Sequence, residues 1–424
     1  MRLRAAGPAL GCLTLLALLL GCTSSKPVAR PSGSSNSGPA PSSASTPESR
    51  DIVVVDGSEP ATLDTKDALS AQGHISVVRT VTGRLKNGGT RGVRAVGDSG
   101  SLLIAASPAA VTGGVLPVIG QSTMELWGPS SRRVISDGST TGKGQPSQTY
   151  AAHLCGSPPV WMETHSVELE RADWRAWARL PGSKSPTLLG SSDKLVPRKD
   201  PPPPPDEGNL AASSSMAYWP ITIPGGDGWH AAIAGARLAP GTKARVVVAD
   251  ALYPQVVESA LLYVREPRVD RSMPATTFEI RRHGGDQDSL VIAGRLQRGS
   301  AVEAFAATSG RYAVAVSDPP RGASGLADKA VLAVWGAGID GVIRIRLHDH
   351  AVALSMSGDL LTWGNGSGNY DGGQYVFDLR GRSLYKVHSN KGGSYIRTCN
   401  GYIGWTDFPD VPQPAANFVV ARWR

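Results

Sequence analysis

Ser357-Gly358-Asp359-Leu360-Leu361-Thr362-Trp363 reads as a tight polar turn feeding an apolar strand, and Tyr375-Val376-Phe377-Asp378-Leu379 as the strand that returns. The same rhythm runs outward along the chain. A turn of Gly, Ser or Asn is followed four or five residues later by an anchor, usually aromatic, inside an apolar run. Cys155-Gly156-Ser157 leads to Trp161, Ser213-Ser214-Ser215 to Trp219, Ser259 to Tyr263, and Asn400-Gly401 to Trp405. Gly310 ahead of YAVAV and Ser99-Gly100 ahead of SLLIAA fit the pattern with Ala315 and Ala105 as small anchors. After each anchor come two more strand-like runs divided by a Gly or Pro turn, as in WRAWARL-PG-SKSPTLLGS (Trp174–Ser191).

With the run before each turn, a unit holds four strands. The anchors fall at 105, 161, 219, 263, 315, 363 and 405, spaced by 42 to 58 residues. Four strands at such a period describe the blades of a β-propeller, so the expected fold is all-β. The last unit, GSYIRTCNGYIGWTDF then NFVVARWR, stops at Arg424 after three strands. His74–Leu85 (HISVVRTVTGRL) is a strand pattern ahead of the first full unit. Pairing it against the C-terminal strand would close the ring and remove an open edge. Six full units plus this hybrid make seven blades. Blade 1 has no aromatic anchor, which leaves six or eight open.

The unit at 357–379 resembles the TolB-like propeller repeat, in which an S-P-D-G-type turn, an apolar strand and a Y-V-x-D-type strand recur. Here the proline of the turn is missing. Across roughly 92–424 the resemblance is one of rhythm. It implies a propeller and, by analogy with TolB, a place in an envelope complex with a peptidoglycan-associated partner.

The N-terminus carries an address. Arg2 and Arg4 precede the apolar run Leu10–Leu20, which is too short to span a bilayer and reads as a signal-peptide core. Leu19-Leu20-Gly21-Cys22 resembles a bacterial lipobox, which implies removal of residues 1–21 and lipidation of Cys22. The expected location is membrane-anchored and extracytoplasmic, through lipid on Cys22. Two acyl chains there would give stable anchoring at ~0.8 kcal/mol per buried methylene. Residues 22–50, rich in Ser, Pro, Gly and Thr, read as a disordered tether. The propeller domain is expected over 51–424. Within it, DKLVPRKDPPPPPDEGN (193–209) reads as a proline-rich loop between blades, because a run of prolines cannot join a central sheet.

Gly and Pro are abundant, Trp outnumbers Phe, and only 18% of residues are charged, a profile of many short strands. The net charge of +8 comes from scattered residues, and no Lys/Arg cluster is interleaved with aromatics, which argues against nucleic-acid binding. Once Cys12 is removed and Cys22 lipidated, Cys155 and Cys399 remain as an even pair. Whether they form a disulfide depends on whether their Cα atoms come within about 7 Å.

Several short motifs look catalytic and fail on chemistry. Gly97-Asp98-Ser99-Gly100-Ser101 resembles the nucleophile loop of trypsin-like proteases, and Ala151-Ala152-His153 their histidine motif. The serine precedes the histidine, opposite to that family's order, and GDSG falls where each unit has its turn. Gly138-Ser139-Thr140-Thr141-Gly142-Lys143 is one residue short of a phosphate-binding loop, and Gly144 stands where Ser or Thr belongs. His348-Asp349-His350 offers two imidazoles but no third ligand at a recognisable spacing. Gly284-Gly285-Asp286-Gln287-Asp288 and Asn365–Gly373 read as Asx-rich turns. No catalytic residue, metal site or cofactor is assigned.

The expected function is a non-enzymatic binding or scaffold module for an envelope protein, peptide or cell-wall polymer, acting from a face of inter-blade loops. A glycan lyase or hydrolase with its site at the channel mouth is the alternative, since propellers host both. Trp161, Trp219, Tyr263, Trp363 and Trp405 are expected to pack between blades, not to line a ligand site.

Overall fold

The computed structural model describes residues 52–55, 61–86, 88–107, 122–138, 147–164, 173–196, 210–225, 228–266, 275–284, 287–317, 330–348, 351–365, 373–389, 395–407 and 417–424. Cys22, the tether and residues 197–209 of the proline-rich segment lie outside them. Four strands come first: β1 (Ile52–Val55), β2 (Leu63–Asp64), β3 (Leu69–Ser70) and β4 (Ile75–Val81). Blade 1 follows as β5 (Thr90–Val96), β6 (Leu102–Ser107), β7 (Thr123–Trp127) and β8 (Arg132–Ser136), and blade 2 as β9 (Gln148–His153), β10 (Val160–Thr164), β11 (Trp174–Ala178) and β12 (Thr187–Ser191). Blade 3 is β13 (Ala211–Ala212), β14 (Met216–Gly225), β15 (Gly228–Arg237) and β16 (Arg245–Ala249). Blade 4 is β17 (Leu252–Val257), β18 (Ala260–Arg265), β19 (Thr277–Gly284) and β20 (Gln287–Leu296). Blade 5 is β21 (Val302–Thr308), β22 (Arg311–Ser317), β23 (Ala330–Gly336) and β24 (Ile343–Leu347). Blade 6 is β25 (Ala351–Ser357), β26 (Leu360–Asn365), β27 (Gly373–Asp378) and β28 (Ser383–Ser389), and β29 (Ile396–Cys399), β30 (Tyr402–Asp407) and β31 (Asn417–Trp423) begin blade 7.

Each group forms one antiparallel sheet, and β4 supplies the fourth strand of blade 7 by pairing antiparallel to β31. Phe418 faces Val81 and Trp423 faces Ile75, so the two ends of the chain close the ring. The fold is a seven-bladed β-propeller, with the closure expected from residues 74–85 and 417–424. Among the described residues no helix is long and apolar enough to cross a membrane. Ser192–Leu195, at the start of the proline-rich segment, forms a single helical turn.

The core is divided by seam. Seven buried clusters correspond one to one with the seven contacts between neighbouring blades. The second strand of each blade turns one large side chain to the preceding blade. Trp161 packs on blade 1, Trp219 on blade 2, Tyr263 on blade 3, Trp363 on blade 5 and Trp405 on blade 6. All five are buried. The small anchors are corrected by one residue. Ala105 and Ala315 face the following blade, and Ile104 and Val314 occupy the place that Trp holds elsewhere. In a strand, successive side chains point to opposite faces, so a slip of one residue exchanges the seams.

Residues before β4 form a strap that the repeat pattern did not reveal. β1, β2 and β3 add in parallel to the outer strands β20, β24 and β28, so the chain laces the rims of blades 4, 5 and 6 before closing blade 7. Leu63 and Ala68 pack against the core between blades 5 and 6. The Thr62 amide donates to the Arg344 carbonyl (2.8 Å), Asp64 pairs with His348 (2.8 Å), and His74 stacks against Trp423 and tilts against Tyr385. Three blade edges are thereby covered, which protects unpaired strand groups from association.

Candidate functional site

Antiparallel blades give the ring two unlike faces. Connections between first and second strands, and between third and fourth, lie on one face and are tight turns such as 258–259, 309–310, 358–359 and 400–401. Hydrogen bonds stitch these turns together from blade to blade. Ser309 donates to Glu258, Arg311 to Asp359, the Asn400 amide to Ser357 (2.9 Å), Asn400 Nδ2 to Asp98, and the Gly156 amide to Asp98 (3.2 Å). Cys155 and Cys399 are joined by a disulfide with Cα atoms 5.6 Å apart, which ties blade 2 to blade 7 past the inner edge of blade 1. The strand ends on the other face are joined by longer stretches of sequence, 108–122, 137–147, 165–173, 192–210, 266–276, 318–329, 366–372 and 408–416, most of whose residues lie outside the described ones.

The inner strands of the blades wall the central channel, and their pairing with the second strands slips in five blades. Arg94, Tyr150 and Glu303 are the extra residues in β5, β9 and β21. Tyr253–Pro254 in β17 and Ala353–Leu354 in β25 likewise oppose one residue each, with Tyr253 and Ala353 at φ 53 and 58. A bulge of this kind re-aims the side chains around it and is found next to functional sites. Tyr150 exposes 37% of its surface even though surrounding protein pushes its phenol well above the usual range, with Asp173 adding to the rise.

Blades 7, 1 and 2 bring a polar cluster together on that wall. Tyr395 donates to the Arg94 carbonyl (2.6 Å), and the Arg397 guanidinium lies 5.0 Å from the Tyr395 ring centroid. Burial lowers the Arg94 pKa from its ordinary value, and Tyr395 opposes this. Burial raises the Tyr395 phenol, and Arg397 and Arg94 pull it back. His153 sits beside the Cys155 carbonyl (3.0 Å) and backbone groups of Leu210 and Ala212. Burial, aided by Arg397, holds its imidazole below the ordinary range against those backbone contacts. Two cations, a phenol and a neutral imidazole can bind an anion. They do not supply a nucleophile with its base.

The motifs singled out in the sequence serve as joints. Asp98-Ser99-Gly100 is the first turn of blade 1, with Ser99 and Gly100 at φ 57 and 70. Asp98 bonds to neighbouring blades, and His153 is directed at the Cys155 carbonyl, not at Ser99. Asp98 also lies with Cys155 and Cys399, but sulfurs bonded to one another are not thiolate ligands. His348 pairs with Asp64 of the strap. Asp288 accepts from Tyr263 (2.9 Å) and pairs with His283 (2.7 Å) within blade 4. Residues 139–146, 285–286, 349–350 and 366–372, which hold the rest of those motifs, lie outside the described residues. A separate cleft of about 420 Å³ opens on the turn face between blades 3 and 4, lined by Tyr218, Arg237, Arg245, Glu258 and His283 among others.

The sequence matches no protein-family model and no curated protein. Among solved structures, the chain is similar to TolB from Acinetobacter baumannii, at 13% identity and a TM-score of 0.36, over 65% of this chain and 61% of that one. It is similar to the β-propeller domain of the trilobed protease from Pyrococcus furiosus at 10% identity and a TM-score of 0.38, over 62% of this chain and 78% of that one. A puromycin-hydrolyzing peptidase from Mycobacterium tuberculosis matches at 14% identity and a TM-score of 0.43, over 87% of this chain and 55% of the peptidase. At these identities the likeness concerns the propeller fold alone.

Proposed function

We propose that the chain is a lipoprotein anchored through Cys22 on the extracytoplasmic side of a membrane, with residues 22–50 as its tether. Its propeller is a non-enzymatic binding module for an envelope protein, peptide or cell-wall polymer. The observation that carries this reading is the division of the faces. Tight turns stitched between blades occupy one, and the strand ends on the other are joined by longer stretches of sequence, as where a rigid scaffold presents its connecting segments to a partner. Recruitment at a membrane needs a broad platform and no chemistry. The cluster around Arg94 and His153 lacks a nucleophile–base pair among the described residues, which supports binding without turnover.

Crosslinking in the native cell followed by mass spectrometry tests the reading. It should recover a defined envelope component on peptides from the loop face, and Cys22→Ala should move the protein out of the membrane fraction. Specific turnover of a glycan or peptide, abolished by replacing Glu303 or His153, would overturn it in favour of an enzyme.

A further inference from the structure

We propose that the channel wall formed by Arg94, Arg397, Tyr395 and His153 is an oxyanion site, taking a carboxylate or phosphate group that enters the channel. The site gives a ligand chemistry to the binding function above, and rests on it only for where the ligand comes from.

The argument begins with Arg94. It is the extra residue of the bulge in β5, so its place on the wall follows from a local break in strand register. Its side chain is partly exposed, but its Nε is buried and has no hydrogen-bond partner among the described residues. A desolvated guanidinium is ordinarily matched by a carboxylate, because an unpaired buried charge is costly. Here the group whose charge acts on Arg94 is a phenol, Tyr395, and Asp98 is engaged by Asn400 and Gly156 on the turn face.

A second cation shares Tyr395 with the first. Arg397 stacks on the same Tyr395 ring whose hydroxyl is fixed to the Arg94 backbone. The two arginines thus meet at one tyrosine, Arg94 through its backbone carbonyl and Arg397 through its guanidinium. An oxyanion entering here would offer the buried Nε of Arg94 the forked acceptor that guanidinium groups match. His153, also within reach of the Arg397 charge, completes the rim with a polar ring. The disulfide and the Asp98 bonds hold blades 7, 1 and 2 together, so the wall is preorganised.

Isothermal titration of the folded, oxidised protein with inorganic phosphate, and separately with an acetylated dipeptide bearing a free C-terminus, tests the site. The same dipeptide amidated at its C-terminus, and chloride at equal ionic strength, are the controls. Saturable binding of one oxyanion, with at least tenfold loss in Arg94→Gln and in Arg397→Gln, is expected. Phosphate alone binding identifies a phosphate source, and the free acid alone a carboxylate source. The proposal is overturned if neither oxyanion binds wild type better than its control, or if both variants bind unchanged. Should Arg94→Gln fail to fold, wild type and Arg397→Gln decide. A partner that crosslinks equally to wild type and the Arg397→Gln variant leaves the binding function standing and removes this site from it.

Discussion

Glu163 shows what a single residue does inside a seam. It is fully buried, and one oxygen accepts the indole proton of Trp161 (2.7 Å). The other oxygen has no hydrogen-bond partner among the described residues. Burial raises its pKa, and the Trp161 bond and Arg175 oppose the rise without cancelling it. A carboxyl whose folded pKa is raised favours folding below its ordinary value of 4.5 and loses that contribution as pH rises through the folded value. The stability of Glu163→Gln relative to wild type should therefore increase from pH 4.5 to 7, measured by urea unfolding at each pH. A constant difference would mean that Glu163 stays ionised in the fold. Trp363 is a simpler case. It is fully buried between blades 5 and 6 and stacked on Tyr375, with centroids 5.5 Å apart. Trp363→Ala should cost about 3–5 kcal/mol, read from the same unfolding curves. The aromatic anchors were legible because a large side chain marks its strand position unmistakably. Ala105 and Ala315 misled by one place because an alternation of small residues, as in YAVAV, looks alike on both faces.

Among the elements, regular strands were readable and irregular ones were not. Alternation and turn residues marked β25 to β28 from the sequence. The strap strands β2 and β3 are two residues long, too short for any periodicity, and are held by what they dock against. The bulges that place Arg94 and Tyr150 arise from a mismatch between paired strands, which no single strand's sequence announces. GDSG and His153 were conspicuous as a protease-like pair, but in the fold Asp98 ties neighbouring blades together and His153 meets the Cys155 carbonyl. The strap should respond to acid through Asp64. Burial raises its pKa, but the Lys66 amide, His348 and Arg346 outweigh that and hold it below the ordinary 3.8. A lowered carboxyl contributes stability above its ordinary value and loses it as pH falls through the folded value. Asp64→Asn should thus unfold at a lower temperature than wild type at neutral pH. The gap should close below pH 3.8. A gap that persists there would place the effect in the Lys66 hydrogen bond instead of the charge.

At the scale of the whole molecule, stability is distributed over seven seams joined in a ring, so the cost of an opening depends on how the ring is locked. Two locks share one sector. β4 pairs with β31 to complete blade 7, and the Cys155–Cys399 disulfide binds blade 7 to blade 2, between residues 244 apart in sequence. A cross-link of that span constrains the unfolded chain by several kcal/mol, on the order of 5–6 in the chain-entropy account. Deleting residues 417–424 removes β31, strips β4 and β30 of their partner, and opens the seams to blades 6 and 1, where Phe418, Val419, Val420 and Ala421 are packed. The disulfide would survive the deletion, because Cys399 lies in β29, but it can only limit how far the opened ring moves. The truncated chain should lose the single cooperative thermal transition of the full chain and expose apolar surface, seen by calorimetry and dye binding. Adding a reductant should destabilise it further, since the remaining lock is then gone. A truncation that melts cooperatively near the full-length temperature would show that the strap over blades 4 to 6 and the seams hold the propeller without closure of blade 7.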